Sequence, residues 1–281
     1  MNKFFLSLFL SFSVLVFSEK PNDRIVLPKE LITLDASSEN ANAFMIRDDR
    51  IHAVGKKEDL IKKYPSASID LSYDDEIIIP GFIEHHIHPL LAAITMNSEI
   101  VAMDDWVVPN KKSAGVRDRA EYLKRIQQLS DKLIDKNEPL VSWGFHHYFH
   151  GKLTKNDLDL ISSERPIIII HRSFHEFILN TKALEMLEIK KEDTRKLTES
   201  EKKQANFDEG HFSERGLIVV LPKIMKFLAS PTRIIKGLSI TEKYIHEKGI
   251  TMIANPGAMY NQDIQKAKNY VLGDKDTPFN S

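Results

Sequence analysis

From Phe82 onward the chain alternates short apolar runs with longer amphipathic stretches, and that alternation restricts the folds open to it more than any other feature. The runs Leu140 to Phe145, Pro166 to His171 and Ile250 to Ala254 are nearly all apolar. Runs of this kind suit strands covered on both faces. Between and around them, Val116 to Asp135, Thr154 to Ile161, Thr181 to Leu187 and Thr232 to Lys248 have helical periodicity. Strands that alternate with helices predict βαβ units and a parallel sheet, hence an α/β fold. Thr154 with Asp157 three residues on predicts a capping box at one helix start.

The chain before Pro80 reads differently. Ile25–Leu27, Leu31–Leu34, Ala43–Ile46 and Arg50–Val54 are short β-type runs, broken by Asp48-Asp49 and Gly55 and followed by one short helix at Lys57 to Tyr64. Pro80-Gly81 turns the chain into a new segment. The expected division is therefore a small β-rich subdomain over residues 19–80 and a larger domain over residues 81–281. Residues 1–18 carry a lysine at position 3 and an apolar run from Phe4 to Phe17, which predicts a signal peptide and an exported, periplasmic or extracellular protein. The run is shorter than the roughly 20 residues of a spanning helix, so no membrane association is expected after cleavage.

Composition excludes several classes of function. Lys+Arg 39 against Asp+Glu 40 leaves a net charge of -1, so no global field favours nucleic acid. Cysteine is absent, which removes disulfides, lipoprotein anchoring and thiolate chemistry. Residues 190–210, rich in Lys and Glu, read as a solvated helix and loop.

The chemistry concentrates in IIIPGFIEHHIHP, Ile77 to Pro89. Strand alternation through this segment puts Glu84, His86 and His88 on one face and His85 with Ile87 on the other. Two imidazoles two residues apart at a strand end can reach one divalent ion, with zinc the expected choice. An isolated pair of this kind is more often a polar rim than a site.

In context the motif resembles the amidohydrolase superfamily, whose members carry a PGFID-x-H-x-H pattern at the end of the first strand of a (β/α)₈ barrel. The resemblance continues through Val141-Ser142-Trp143-Gly144-Phe145, Thr154 to Asp159, Arg165-Pro166, and His175 through Asn180-Thr181-Lys182-Ala183-Leu184. That series is similar to the branch containing N-substituted formamide deformylase-like enzymes. It implies an incomplete TIM-type barrel, about the first half, preceded by a small β-sandwich-like subdomain. It also implies metal ligation by His86 and His88, with His85 at the variable position and Glu84 where the family usually has Asp. His175 would contact substrate or transition state, and Glu214 matches a stretch where the branch places a glutamate. The implied activity is hydrolysis of an amide- or formamide-type C–N bond in a small, non-peptide substrate by a metal-activated water.

The family's further ligands come from later strands, and about four strand-helix units are read after Phe82. Two functional readings follow. One is a hydrolase completed by self-association or by a complementary C-terminal half; the other is a catalytically incomplete fragment that at most binds metal. His146, His147 and His150 either line the same mouth or face solvent, and His171 points either into the barrel or into the helix layer. Trp143 is expected in the core.

Overall fold

The computed structural model describes residues 22–256 and Lys266, so the segment read as a signal peptide lies outside the described residues. Among the described residues no helix is long and apolar enough to cross a membrane. The chain forms two compact units that divide between Pro80 and Gly81.

The first unit contains β1 (Asp23–Val26), β2 (Glu30–Leu31), β3 (Ala43–Arg47), β4 (Arg50–Gly55), α1 (Lys57–Lys63), β5 (Ser68–Asp70) and β6 (Ile77–Ile78). A four-stranded sheet runs β4-β3-β1-β5, and β2 with β6 makes a separate parallel pair. Alternation along β1 and β3 turns Ile25, Ala43 and Met45 to one side, where Leu60 of α1 packs on them. Arg47 closes the end of this sheet with two hydrogen bonds to Asp23, at 2.8 and 2.7 Å.

The second unit begins with β7 (Phe82–Glu84), α2 (Pro89–Met96), β8 (Glu99–Ile100) and a hairpin of β9 (Trp106–Val108) with β10 (Lys111–Ser113). Next come α3 (Arg119–Lys132), β11 (Leu140–Phe145), α4 (His147–His150), α5 (Lys155–Ile161), β12 (Ile167–His171) and β13 (Glu176–Leu179). It continues with α6 (Thr181–Met186), α7 (Glu199–Lys202), β14 (Ala205–Asn206), β15 (His211–Ser213), α8 (Leu221–Leu228), α9 (Pro231–His246) and β16 (Ile250–Ile253). The helix of α5 starts with the expected capping box, Thr154 and Asp157 bonding reciprocally.

One six-stranded sheet, ordered β14-β15-β13-β12-β11-β8, organises this unit. Strands β8, β11 and β12 are parallel, whereas β13, β14 and β15 join antiparallel. Every residue of β11 and β12 is buried, as strands covered on both faces must be. Ile168, Ile170, Val141 and Trp143 point into a core with α2, α8 and α9. Ile167, Ile169, Leu140 and Phe145 point the other way, against Tyr122 and Ile126 of α3 and Leu158 of α5. Trp143 is core, as expected, edge-on to Trp106 at 5.1 Å.

The expectation of a single parallel sheet is corrected in two places. First, β16 pairs in parallel with β7 instead of extending the sheet beyond β12. The free edge of β12 is taken by β13, which returns after only four residues; closing so short a loop costs far less chain entropy than bringing in a strand almost eighty residues away. Second, β13, β14 and β15 join the sheet antiparallel. Helix α9 carries β16 to β7 by packing on α2, and Gly237 makes this approach possible, since a Cβ there would run into the Ala93 backbone. The fold is thus mixed α/β, with a parallel pair standing beside a mixed sheet.

Two residues set the local geometry. Asn180 is fully buried; its Oδ1 accepts from the Ile167 and Ala183 N–H groups, both at 2.9 Å, and its Nδ2 donates to the Ser162 and Arg165 carbonyls at 3.0 and 2.9 Å. Gly144 interrupts the β11–β12 register at φ +114° as the extra residue of a bulge, with its would-be Cβ 2.8 Å from Ala102 Cβ and the Val101 carbonyl. Asn180→Asp keeps the shape but turns an oxygen toward two carbonyls. It should lower unfolding stability by about 2–4 kcal/mol in urea titration, and a loss under about 0.5 kcal/mol would refute the assigned role. Gly144→Ala should cost about 1–3 kcal/mol in the same assay, from backbone strain and crowding together.

Candidate functional site

Strand β7 stops at Glu84, so alternation does not run through His88 as the sequence suggested. His88 is instead the residue before α2, and Pro89 occupies the first helical turn, where a missing N–H costs nothing. The intervening turn is tied to the end of β16: Ala254 N–H donates to Glu84 O at 2.7 Å, and Ile87 N–H donates to Ala254 O at 3.1 Å. Glu84 Oε1 accepts from the His86 backbone N–H at 2.9 Å. The turn nonetheless brings His86 and His88 together, with ring centroids 5.3 Å apart and planes at 85°. Both rings are exposed, and among the described residues neither makes a hydrogen bond to protein. Two imidazoles with free nitrogens are the donor chemistry that zinc and its neighbours prefer. No third His, Asp or Glu among the described residues joins them in a metal-sized group.

His175 and Glu214, 39 residues apart, meet across the β13–β15 ladder. Their side chains approach to 3.3 Å between Nδ1 and Oε2, and Glu214 N–H donates to His175 O at 3.0 Å. Antiparallel pairing of Glu176 with Ser213 places the two residues side by side at the ladder end. Both side chains are largely exposed. Two non-glycine residues here hold left-handed backbone, Phe174 at φ 63° and Glu214 at φ 43°, a conformation that costs about 1 kcal/mol or more and persists where its surroundings enforce it. Glu214 opens a short 3-10 turn, Glu214–Val219. His175 follows the C-terminal end of β12 as expected, and neither it nor Glu214 touches His86 or His88 among the described residues.

The four remaining histidines at this sheet end divide into one structural group and one cluster. His150 is fully buried and satisfied: Nε2 meets Val116 O at 2.8 Å, Nδ1 accepts from His146 N–H at 3.0 Å, and the ring stacks on Tyr122 at 4.4 Å. Burial lowers its pKa, so it stays a neutral packing residue and does not line a mouth. His146, His147 and His171 instead gather, with one donor atom of each within 4.8 Å of the others. Their ring centroids lie 5.0 to 5.6 Å apart.

The side of His171, open in the sequence, is settled by the ladder. It falls on the face of Ile167 and Ile169 and packs edge-on to Phe145 at 6.1 Å. Burial pushes its pKa down to about 4, against the opposing pull of Glu176. The sequence did carry a signal for this cluster, since His146-His147 and His171 each follow the end of an apolar run; only the pairing of those runs shows that the ends coincide.

Comparison with known proteins places these features in a family. A model described as the amidohydrolase family matches residues 70–269. YtcJ of Bacillus subtilis (strain 168), provisionally named an amidohydrolase, is 23% identical over 159 residues, covering 55% of this chain and 28% of its own length. Among solved structures, an uncharacterized metal-dependent hydrolase from Pyrococcus horikoshii OT3 superposes with TM-score 0.65 at 16% identity, over 92% of this chain and 47% of that one. Another, from Pyrococcus furiosus, gives TM-score 0.60 at 15% identity, over 87% and 46% respectively. The chain thus spans about half the length of the structures it matches, and less of YtcJ. By the extent of the family match, the chain belongs to the amidohydrolase family.

Proposed function

We propose that the chain acts in metal-dependent hydrolysis of C–N bonds in small, non-peptide amides or formamides, as in the N-substituted formamide deformylase-like branch. The observation that carries this reading is the His86/His88 pair, two imidazoles set edge-on and free of protein hydrogen bonds among the described residues, just past the end of the parallel pair β7/β16. In the same reading β7 and β16 are neighbouring strands of a TIM-type barrel, preceded by a sandwich-like subdomain. A divalent ion, zinc by donor chemistry, would supply the Lewis acidity that activates water and polarises the scissile carbonyl.

The chain's own groups then have separate tasks. His86 and His88 hold the ion. The Glu84 carboxylate fixes the turn between them through the His86 N–H. The His175–Glu214 pair offers an exposed imidazole, oriented by a carboxylate, to take up or return a proton on a polar substrate.

A specific observation favours a second reading. Catalytic zinc normally takes three protein ligands, and only two converge here among the described residues. A chain that binds metal at His86/His88 and hydrolyses only when further ligands arrive, from self-association or a complementary polypeptide, fits that count. The expected exported location and small-molecule partner belong to the same proposal.

Assays on a panel of N-substituted formamides and simple amides, following amine release, test the reading. Chelation, or the exchanges His86→Ala and His88→Ala together, should lower kcat/KM by roughly a thousandfold or more. Hydrolysis that survives both would sink the assignment. Glu214→Gln and His175→Asn should each lower kcat/KM by about 10²–10⁴ while bound metal stays constant, as for a proton-transfer pair. Since both side chains are exposed, thermal stability should move by no more than about 0.5 kcal/mol.

A further inference from the structure

The three-histidine cluster does not share a face with the rest of the site. Phe174 and Ile87, neighbours of His175 and of the His86/His88 pair, both pack on the core that contains α2, α8, α9 and Ile253. Phe145, on which His171 lies, belongs to the opposite core, beneath α3 and α5. The six-stranded sheet therefore separates His171 from the core beside β7 and β16.

We infer that His146, His147 and His171 form a second cation site for zinc or a similar imidazole-seeking divalent ion, independent of His86 and His88. His171 is the anchor. It is 6% exposed; its Nδ1 accepts from the Ser173 N–H at 3.1 Å, and the Ser173 hydroxyl lies 2.8 Å from the same nitrogen. Its other nitrogen, Nε2, is buried and has no hydrogen-bond partner among the described residues. Buried polar atoms are nearly always satisfied, and packing alone gives no reason for two imidazoles to gather around an unsatisfied third. Nε2 presents a lone pair beside the His146 and His147 rings once the ring proton sits on Nδ1 and is donated to Ser173 Oγ in place of the bond from the Ser173 N–H. An imidazole steadied through its second nitrogen is the usual arrangement of a metal-binding histidine.

The spacing is close to what an ion needs. Nitrogens about 2.0 to 2.1 Å from a tetrahedral zinc stand roughly 3.3 Å apart, so a cluster already within 4.8 Å must contract by about 1.5 Å at its widest. His147 is mostly exposed and can make that movement. Glu176 is placed to hold it: one carboxylate oxygen lies 4.0 Å from His147 Nδ1, and the other accepts from or faces His211 Nε2 at 2.9 Å. Three imidazoles with a solvent-facing side leave a fourth position for water. Nitrogen donors select zinc-type ions over magnesium or calcium, which prefer oxygen.

Chelator-stripped full chain is titrated with zinc by calorimetry and with cobalt(II) by its visible spectrum, and bound metal is counted by elemental analysis. The His86→Ala/His88→Ala double variant should keep one equivalent of zinc and a cobalt spectrum of low-coordinate type. Adding His147→Ala, at an exposed position, should weaken that binding at least a hundredfold with the thermal unfolding curve unchanged. Glu176→Gln should weaken it about tenfold to a hundredfold. A folded double variant that binds no metal overturns the inference, as does undiminished affinity after His147→Ala. Wild-type protein whose single equivalent is lost with His147→Ala and kept in the double variant would support this site while removing the metal from His86 and His88.

Discussion

The parallel pairing of β11 with β12 is the constraint from which most of the second unit follows. Both strands are buried on each face, so each must satisfy its backbone within the sheet and cannot slip register without moving an entire apolar set to the wrong core. Fixing that register makes Phe145 the partner of His171. The residues that follow, His146-His147 on one side and Ser173 through His175 on the other, then leave the sheet at the same end. Polar groups at this end are thus placed by the most apolar part of the chain.

Gly144 decides which face Phe145 occupies. Without the bulge, strict alternation from Val141 and Trp143 would turn Phe145 toward α2 and α9. The extra residue reverses the phase, and Phe145 joins Tyr122, His150 and His171 on the opposite face. Only a residue without a Cβ fits between Ala102 and the Val101 carbonyl at that φ. A backbone detail on β11 thereby determines which rings His171 meets on its face.

The same detail marks the limit of what the sequence discloses. Apolar runs and capping signals fix β11 and α5 to within a residue, because burial and end chemistry act locally. The His86/His88 pair is legible for a related reason: two residues on a short turn cannot be far apart, and their proximity survives even though β7 ends before them. The three-histidine cluster is legible only as separate run ends, since assembling it requires knowing that two runs are neighbours, that they are parallel and that one contains a bulge. The meeting of His175 with Glu214 likewise depends on β13 and β15, short strands whose pairing is set by tertiary contact. Resemblance pointed to both residues without indicating that they touch.

The sheet order also bears on how a chain of this family is assembled. Had β16 followed β12, every histidine at the strand ends would have opened toward one mouth. With β16 beside β7, the long segment between them, from α2 to α9, returns the chain to its starting point after building a mixed sheet of its own. The contact between α2 and α9, made close by Gly237, is what brings the chain back. The exposed pair His86/His88 sits at the junction of that return, tied to Ala254 by two backbone hydrogen bonds. The intervening sheet carries the two left-handed residues Phe174 and Glu214 and meets the junction through one shared core. Such an arrangement lets the His86/His88 turn be fixed by backbone while the His175–Glu214 corner is built on a separate scaffold, since the two are joined through packing and not through a shared strand.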